Sequence, residues 1–168
     1  MKRIAIYAGS FDPITNGHLS IIRRGVALFD QLWVMVTNNP AKKYLFDLNN
    51  RMGLVAESIE LNGIQRTFTN CFENRLLVEV AREKKATALL RGLRAVSDFE
   101  AEFQMAQANH SLAPEIETVF VMTQDDYFFV SSSMVREIAS LRGDVSKFVP
   151  PGVEVALKGK FQDVSLTR

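Results

Sequence analysis

The chain has 168 residues, 47% of them apolar, and its 20 Lys+Arg against 19 Asp+Glu leave a formal charge of +1. That length suits one globular domain with a proper core, and the charge balance excludes a domain built mainly to grip a nucleic-acid backbone. A small phosphorylated ligand is not excluded, because it needs only a few well-placed cations. The single Cys71 cannot form an intrachain disulfide; it suits a reducing compartment and reads as a small buried thiol. No apolar run approaches the ~18 residues of a membrane span, and Ile4 to Ala8 is too short for the core of a signal peptide. A cytoplasmic protein with neither nucleic acid nor membrane as partner is expected.

Apolar runs alternate with helical patterns from the start. Ile4 to Ala8 predicts a strand buried on both faces. Leu19, Ile22, Val26 and Phe29 then recur on one helix face. Leu32 to Val36 predicts a second strand, stopped at Asn38-Asn39-Pro40. A helix follows from a cap at Asp47 to about Leu61, ending at Asn62-Gly63. Arg66 to Cys71 predicts a third strand, Leu76 to Lys84 a helix and Thr87 to Leu90 a fourth strand. Ser97-Asp98-Phe99-Glu100 has capping-box spacing and opens a helix to about His110. Glu117 to Met122 predicts the fifth strand, Ser132 or Ser133 caps a helix through Leu141, and Pro150-Pro151-Gly152 opens a last short helix. Alternation of this kind implies a doubly wound α/β domain, a five-stranded parallel sheet with helices on both faces. The domain is expected to occupy residues 1–161, with 162–168 as a polar tail.

Ligands of such sheets bind beyond the carboxyl ends of the strands, and the distinctive residues of this chain fall there. The first strand runs into Gly9-Ser10-Phe11-Asp12-Pro13-Ile14-Thr15-Asn16-Gly17-His18, directly before a helix. Glycines permit close backbone approach, and the free amides of a helix N-terminus favour an anion. Val130-Ser131-Ser132-Ser133-Met134-Val135-Arg136 repeats that arrangement before a later helix. A bare serine triplet is ordinarily a helix cap, but beside the first segment it reads as a second phosphate cradle. Arg91 and Arg94, three apart after a strand, suit planar multi-donor contacts to one anion, and Lys42 supplies a compact positive charge. The remaining candidates have plainer readings. His110 is a solvated helix-end residue, Asp125-Asp126 a charged loop pair and Phe128-Phe129 core. The serine triplet lacks the elbow of a serine nucleophile.

Thr15-Asn16-Gly17-His18 and Val130 to Arg136 resemble the T/H-x-G-H and I-S-S-T/S-x-x-R/K signatures of the nucleotidyltransferase superfamily. Three further segments, Tyr7 to Pro13, Asn39-Pro40-Ala41-Lys42-Lys43 and Arg91-Gly92-Leu93-Arg94 with Asp98-Phe99-Glu100-Ala101-Glu102, are similar to bacterial phosphopantetheine adenylyltransferases, over about residues 3 to 161. The resemblance implies a Rossmann-like domain. It also implies transfer of the adenylyl group of ATP to 4'-phosphopantetheine, giving 3'-dephospho-CoA and pyrophosphate in coenzyme A biosynthesis without a covalent enzyme intermediate. By position it makes His18, Lys42 and Arg91 catalytic, and it assigns Ser10, Lys42, Leu77 and Arg91 to phosphopantetheine. To ATP it assigns Ser10, Phe11, His18, Gly92, Leu93, Arg94 and Glu102, with Tyr127, Phe128, Phe129, Val130, Ser131, Ser132 and Ser133. Mg2+ should accompany the ATP phosphates, although no protein ligand cluster is legible for it. A homohexamer and feedback inhibition by CoA are implied as well. The chain departs from the family at Tyr44, where proline is common, at Phe72-Glu73-Asn74-Arg75, where glycine is usual, and at Ala101, where an aromatic is common. Two other readings stay open at this point: a nucleotidyltransferase acting on nicotinamide mononucleotide or glycerol 3-phosphate, and a nucleotide- or CoA-sensing module without turnover.

Overall fold

The computed structural model of the chain describes residues 2–94, 96–123 and 125–162. In chain order they form β1 (Ile4–Gly9), α1 (Asn16–Leu28), β2 (Gln31–Thr37), α2 (Leu48–Leu61), β3 (Thr67–Phe72), α3 (Leu77–Glu83), β4 (Ala88–Leu93), α4 (Val96–Leu112), β5 (Glu117–Met122), α5 (Ser132–Ser140) and α6 (Pro151–Gln162), with a 3-10 turn at Asp125–Tyr127. The five strands are parallel in the order β3-β2-β1-β4-β5, so the doubly wound architecture expected from the alternation is present. Among the described residues no helix is long and apolar enough to cross a membrane.

Strand periodicity divides the core between two faces. Ala5, Tyr7, Leu32, Val34, Val36 and Leu90 pack beneath α1, α2, α5 and α6, while Ile6, Ala8, Met35 and Leu89 meet Val78, Val80 and Ala81 of α3 on the other side. With α1 the fit is tight. A Cβ added at Gly25 would lie 2.7 Å from Leu90 Cδ2 and 2.8 Å from Leu32 Cδ2, and both leucines are fully buried. Alanine improves helix propensity by ~1 kcal/mol, but overpacking a full core costs ~1–3 kcal/mol. Gly25→Ala is therefore expected to destabilise the protein by up to about 2 kcal/mol, read as a lower denaturant midpoint at unchanged m-value.

The chain passes from β1 outward through β2 to β3, then crosses back to place β4 on the opposite side of β1. That reversal is the switch point where such sheets bind ligands. The pairing of β1 with β4 covers only Ala5–Ala88 and Ile6–Leu89, whereas β1–β2 pairs from Ile4–Gln31 through Gly9–Val36. Beyond that short ladder, Arg91 Nη1 donates to the Ala8 carbonyl at 3.0 Å. A side chain thus satisfies a β1 acceptor where the two strands no longer pair.

Some boundaries differ from expectation. Pairing of Arg91, Gly92 and Leu93 with Phe120, Val121 and Met122 extends β4 to Leu93, so Arg91 lies inside the strand rather than after it. β3 starts and ends one residue later than the pattern predicts. The cap of α5 is Ser131, whose side chain accepts from the Met134 amide at 3.1 Å, not Ser132 or Ser133. Cys71 is only partly buried. The capping box at Ser97 and the tail beyond Gln162 lie outside the described residues and side chains.

Candidate active site

The first motif is held by its own hydrogen bonds. Thr15 caps α1: its hydroxyl accepts from the His18 amide at 3.3 Å, and the Thr15 amide donates to His18 Nδ1 at 3.0 Å. This is a capping box with histidine in the third helical position, where glutamate or glutamine ordinarily reaches back. An Nδ1 that accepts must be unprotonated, so the ring proton sits on Nε2 and points away from the cap. Burial, with the positive charge of Arg94 as a second cause, pulls the His18 pKa down from 6.5 to about 4. The imidazole is therefore neutral near pH 7 and offers one N–H. The Thr15 hydroxyl also lies 3.0 Å from Nδ1, and the Phe11 ring packs edge-on to the imidazole, 5.1 Å between centroids.

The sign of the resulting pH dependence follows directly. Between about 4 and 6.5 the unfolded imidazole binds a proton that the folded one refuses, so stability falls as pH drops through that window. An NMR titration of the His18 ring protons is expected to show a midpoint below 5, and a midpoint near 6.5 would contradict this environment.

Asp12, 1% exposed, joins three segments. Its carboxylate accepts from the Leu45 amide at 2.8 Å, the Phe46 amide at 3.0 Å and Arg136 Nη1 at 3.0 Å. Arg136 Nη1 also reaches the Asp12 carbonyl at 2.5 Å, so the arginine of the second signature braces the first motif. Ser132 adds a parallel tie, its hydroxyl donating to the Pro13 carbonyl at 2.8 Å. The two signatures, more than a hundred residues apart in sequence, thereby become one rigid unit at the carboxyl end of the sheet.

Across the switch point, Arg91 and Glu102 form a two-pronged ion pair, Nε–Oε2 and Nη2–Oε1 both at 2.6 Å. Burial of the Arg91 guanidinium opposes its charge, but hydrogen bonding and attraction to Glu102 outweigh that and raise its pKa. Leu77, Arg91 and Glu102 line one small cavity with Met105, Ala106 and Asn109, which brings together three residues predicted as substrate or nucleotide contacts. Gly92 faces α1: a Cβ there would stand 2.9 Å from Ile21 Cγ1, so any side chain would push the helix that carries His18. Arg94 Nη1 reaches the Val130 carbonyl at 3.4 Å.

The other predicted residues divide by exposure. Phe11, Leu93 and Val130 are buried side chains of the core, and their backbones alone can face a ligand. Ser10 and Tyr127 are half-buried, and Lys42 and Ser133 exposed. Phe128 and Phe129, expected in the core, are 55% and 50% exposed, because the loop turns them outward and only Phe129 finds a further ring, Phe148, edge-on at 6.0 Å. His110 is exposed in the last turn of α4, as expected, and Asp126 is exposed while the Asp125 side chain is outside the described set. Thr15 and Asp12 belong to the sequence motifs but received no role of their own there, and Arg51 belongs to none of them. Thr15 was findable, since it stands three residues before His18 at capping-box spacing. Asp12 and Arg51 act on backbone groups of distant segments, which leave no local signal.

Among the described residues no group of three His, Cys, Asp or Glu side chains could hold a metal ion. The buried Asp12 and the half-buried Glu102 are already engaged as above. The arrangement offers a neutral N–H donor, helix N-termini and arginines around one end of the sheet, which suits binding phosphates and stabilising charge on phosphorus.

A family model described as cytidylyltransferase-like matches residues 6–138. Phosphopantetheine adenylyltransferase of Anaeromyxobacter dehalogenans (strain 2CP-C) is 52% identical over 96% of this chain and 96% of its own, and that of Petrotoga mobilis is 51% identical over 95% and 96%. Among solved structures, nicotinic acid mononucleotide adenylyltransferase of Plasmodium falciparum complexed with NaAD superposes with a TM-score of 0.71 at 18% identity, covering 96% of each chain. At that identity the likeness is one of fold alone. The two signatures, the bridged switch point and sequence identity above one half along nearly the whole chain agree: this chain belongs to the phosphopantetheine adenylyltransferase family of cytidylyltransferase-like nucleotidyltransferases.

Proposed function

We propose that the chain transfers the adenylyl group of ATP to 4'-phosphopantetheine, releasing pyrophosphate and forming 3'-dephospho-CoA, by direct in-line attack on the α-phosphorus. The observation that carries the mechanism is the state of His18, whose Nδ1 is occupied by the Thr15 amide. The attacking phosphate is already an anion, so no strong base and no enzyme-bound intermediate are needed. Catalysis then consists of positioning and of stabilising charge on the crowded phosphorus. A neutral imidazole with its proton on Nε2 can donate to an α-phosphate oxygen and strengthen that bond as charge builds. A protonated one would also bind the ground-state triphosphate more tightly, which lowers KM without raising kcat.

Lys42 and Arg91 share the remaining charge, and Ser10, Lys42, Leu77 and Arg91 receive phosphopantetheine. The half-exposed Phe128 and Phe129, beside Tyr127, form an apolar loop suited to an adenine ring, with Gly92 to Arg94, Glu102 and the serine triplet completing the ATP site. Mg2+ would accompany the ATP phosphates, whose charge it neutralises. Assembly into a homohexamer is supported by the apolar residues left exposed on α4 and β5, namely Phe99, Phe103, Met105, Leu112 and Met122, and light scattering tests it. Inhibition by CoA follows from its sharing the product's pantetheine and adenylate parts. A cytoplasmic location fits the chemistry of these substrates.

The deciding assay offers phosphopantetheine, nicotinamide mononucleotide and glycerol 3-phosphate in turn to the folded protein with ATP and Mg2+. Pyrophosphate release is expected with phosphopantetheine. Absence of phosphopantetheine-dependent release would overturn the reading, and release with another acceptor would reassign it.

A further inference from the structure

Arg51, in the first turn of α2, is 1% exposed and is the largest fully buried side chain among the described residues. Among the described residues it forms no ion pair. Its guanidinium instead binds oxygens from three separate segments. Nη1 donates to the Ser10 carbonyl at 2.6 Å and the Thr37 carbonyl at 3.2 Å. Nε donates to the Phe46 carbonyl at 3.0 Å, and Nη2 donates to Asn38 Oδ1. Thr37 and Phe46 are the two feet of the loop that carries Lys42, and Ser10 belongs to the first motif. One rigid fork of donors thus fixes both feet of the loop against the end of β1, which a lysine's single ammonium cannot do.

Tyr44 closes the same loop from within. Its ring lies under the guanidinium, with Arg51 Cζ 4.2 Å from the ring centroid, in the geometry of a cation–π contact. Its hydroxyl accepts from the Asn39 amide and lies 3.3 Å from the Asn39 carbonyl. The Lys42 amide donates to that same carbonyl at 2.9 Å, and the Ala41 amide to Asn39 Oδ1 at 2.9 Å. The backbone of Lys42 is therefore suspended between a pinned Asn39 and a pinned Tyr44, at the position where the family commonly has proline. Lys42 itself is exposed and makes no ion pair among the described residues that would orient it otherwise.

We propose that Arg51 and Tyr44 are positioning residues that act through Lys42, holding its loop so that the ammonium stands over the anion received at Ser10. This rests on the adenylyl-transfer reading for its kinetic arm and on the loop geometry alone for its structural arm.

The structural arm is amide hydrogen exchange over residues 39–46. Tyr44→Ala is expected to speed exchange at the Ala41 and Lys42 amides, Tyr44→Phe to do so less because the ring stays under Arg51, and α2 to remain protected in both. Unchanged exchange at those amides in Tyr44→Ala overturns the proposal whether or not the protein turns over phosphopantetheine. The kinetic arm is a double-mutant cycle. Tyr44→Ala is expected to lower kcat/KM for phosphopantetheine by ~10-fold, the order expected from a misplaced group, and to do little more in a Lys42→Ala background. Equal losses in both backgrounds mean that Tyr44 does not act through Lys42 and overturn it. Arg51→Lys, which keeps the charge but loses the fork, should reproduce the Tyr44→Ala pattern. Tyr44→Phe keeps the test open if Arg51→Lys fails to fold. Loss of all phosphopantetheine-dependent release in the parent protein would sink the functional reading and leave the exchange result to decide the loop.

Discussion

Replacing His18 with alanine is expected to lower turnover by ~10²–10³-fold, the usual loss for one preorganised donor to a developing charge, while ATP affinity stays roughly unchanged. The reason is the tautomer. With Nδ1 held by the Thr15 amide at 3.0 Å and the pKa near 4, the ring in the proposed mechanism would meet the triphosphate as a neutral donor, and a neutral donor contributes most when charge accumulates on the phosphorus. Steady-state kinetics with a direct ATP-binding measurement separates the cases: kcat and kcat/KM should fall together. A comparable loss in ATP affinity would make His18 a binding residue. Fold should survive, because alanine there leaves the Thr15 hydroxyl still accepting from the residue-18 amide.

Arg91→Ala is expected to act on both activity and stability. It removes a cation proposed to share the charge on phosphorus and leaves Glu102, with about a quarter of its side chain exposed, facing a cavity without its partner. Breaking a well-formed, largely buried pair costs ~3–5 kcal/mol, and the partial exposure of this one places the loss toward the lower end, at about 3 kcal/mol. It also strips the Ala8 carbonyl of its donor at the point where β1 and β4 part. The double variant Arg91→Ala/Glu102→Ala should recover part of the stability, since no charge is stranded, yet none of the turnover. Denaturant unfolding of both variants, read beside the pyrophosphate assay, checks this. If the double variant is no more stable than the single one, the stranded carboxylate is not the cause.

Chain order and residue type were enough to read five strands, the helices between them and both signature segments, because each depends on patterns within about ten residues: apolar runs, helical periodicity, a turn before a helix. The switch point was not legible in that way. Nothing local to Ala88 or Ala5 states that β4 returns to the far side of β1, and the crossover is decided only when both sheet faces find helices to cover them. The length of β4 was misjudged for a related reason: Arg91 and Gly92 are poor strand residues by type, and pairing with β5 keeps them in the sheet.

The site divides along the same line. His18, Lys42 and Arg91 stood out by spacing and charge, and Thr15 could have, since a capping box is a three-residue relation. The environments that give these residues their properties could not be read from spacing. The neutrality of His18 comes from burial and from Arg94, and the orientation of Arg91 from Glu102. Arg136, the last residue of the second signature, is turned to Asp12. Arg51 had no signature, because its partners are backbone carbonyls and a side-chain amide oxygen from three separate segments. The sequence by itself determined the chemistry available to this protein, the strand–helix rhythm and the net charge of +1. Only the tertiary structure decided which of those charges remain open to a ligand and which brace the fold, because burial and long-range hydrogen bonds set that division.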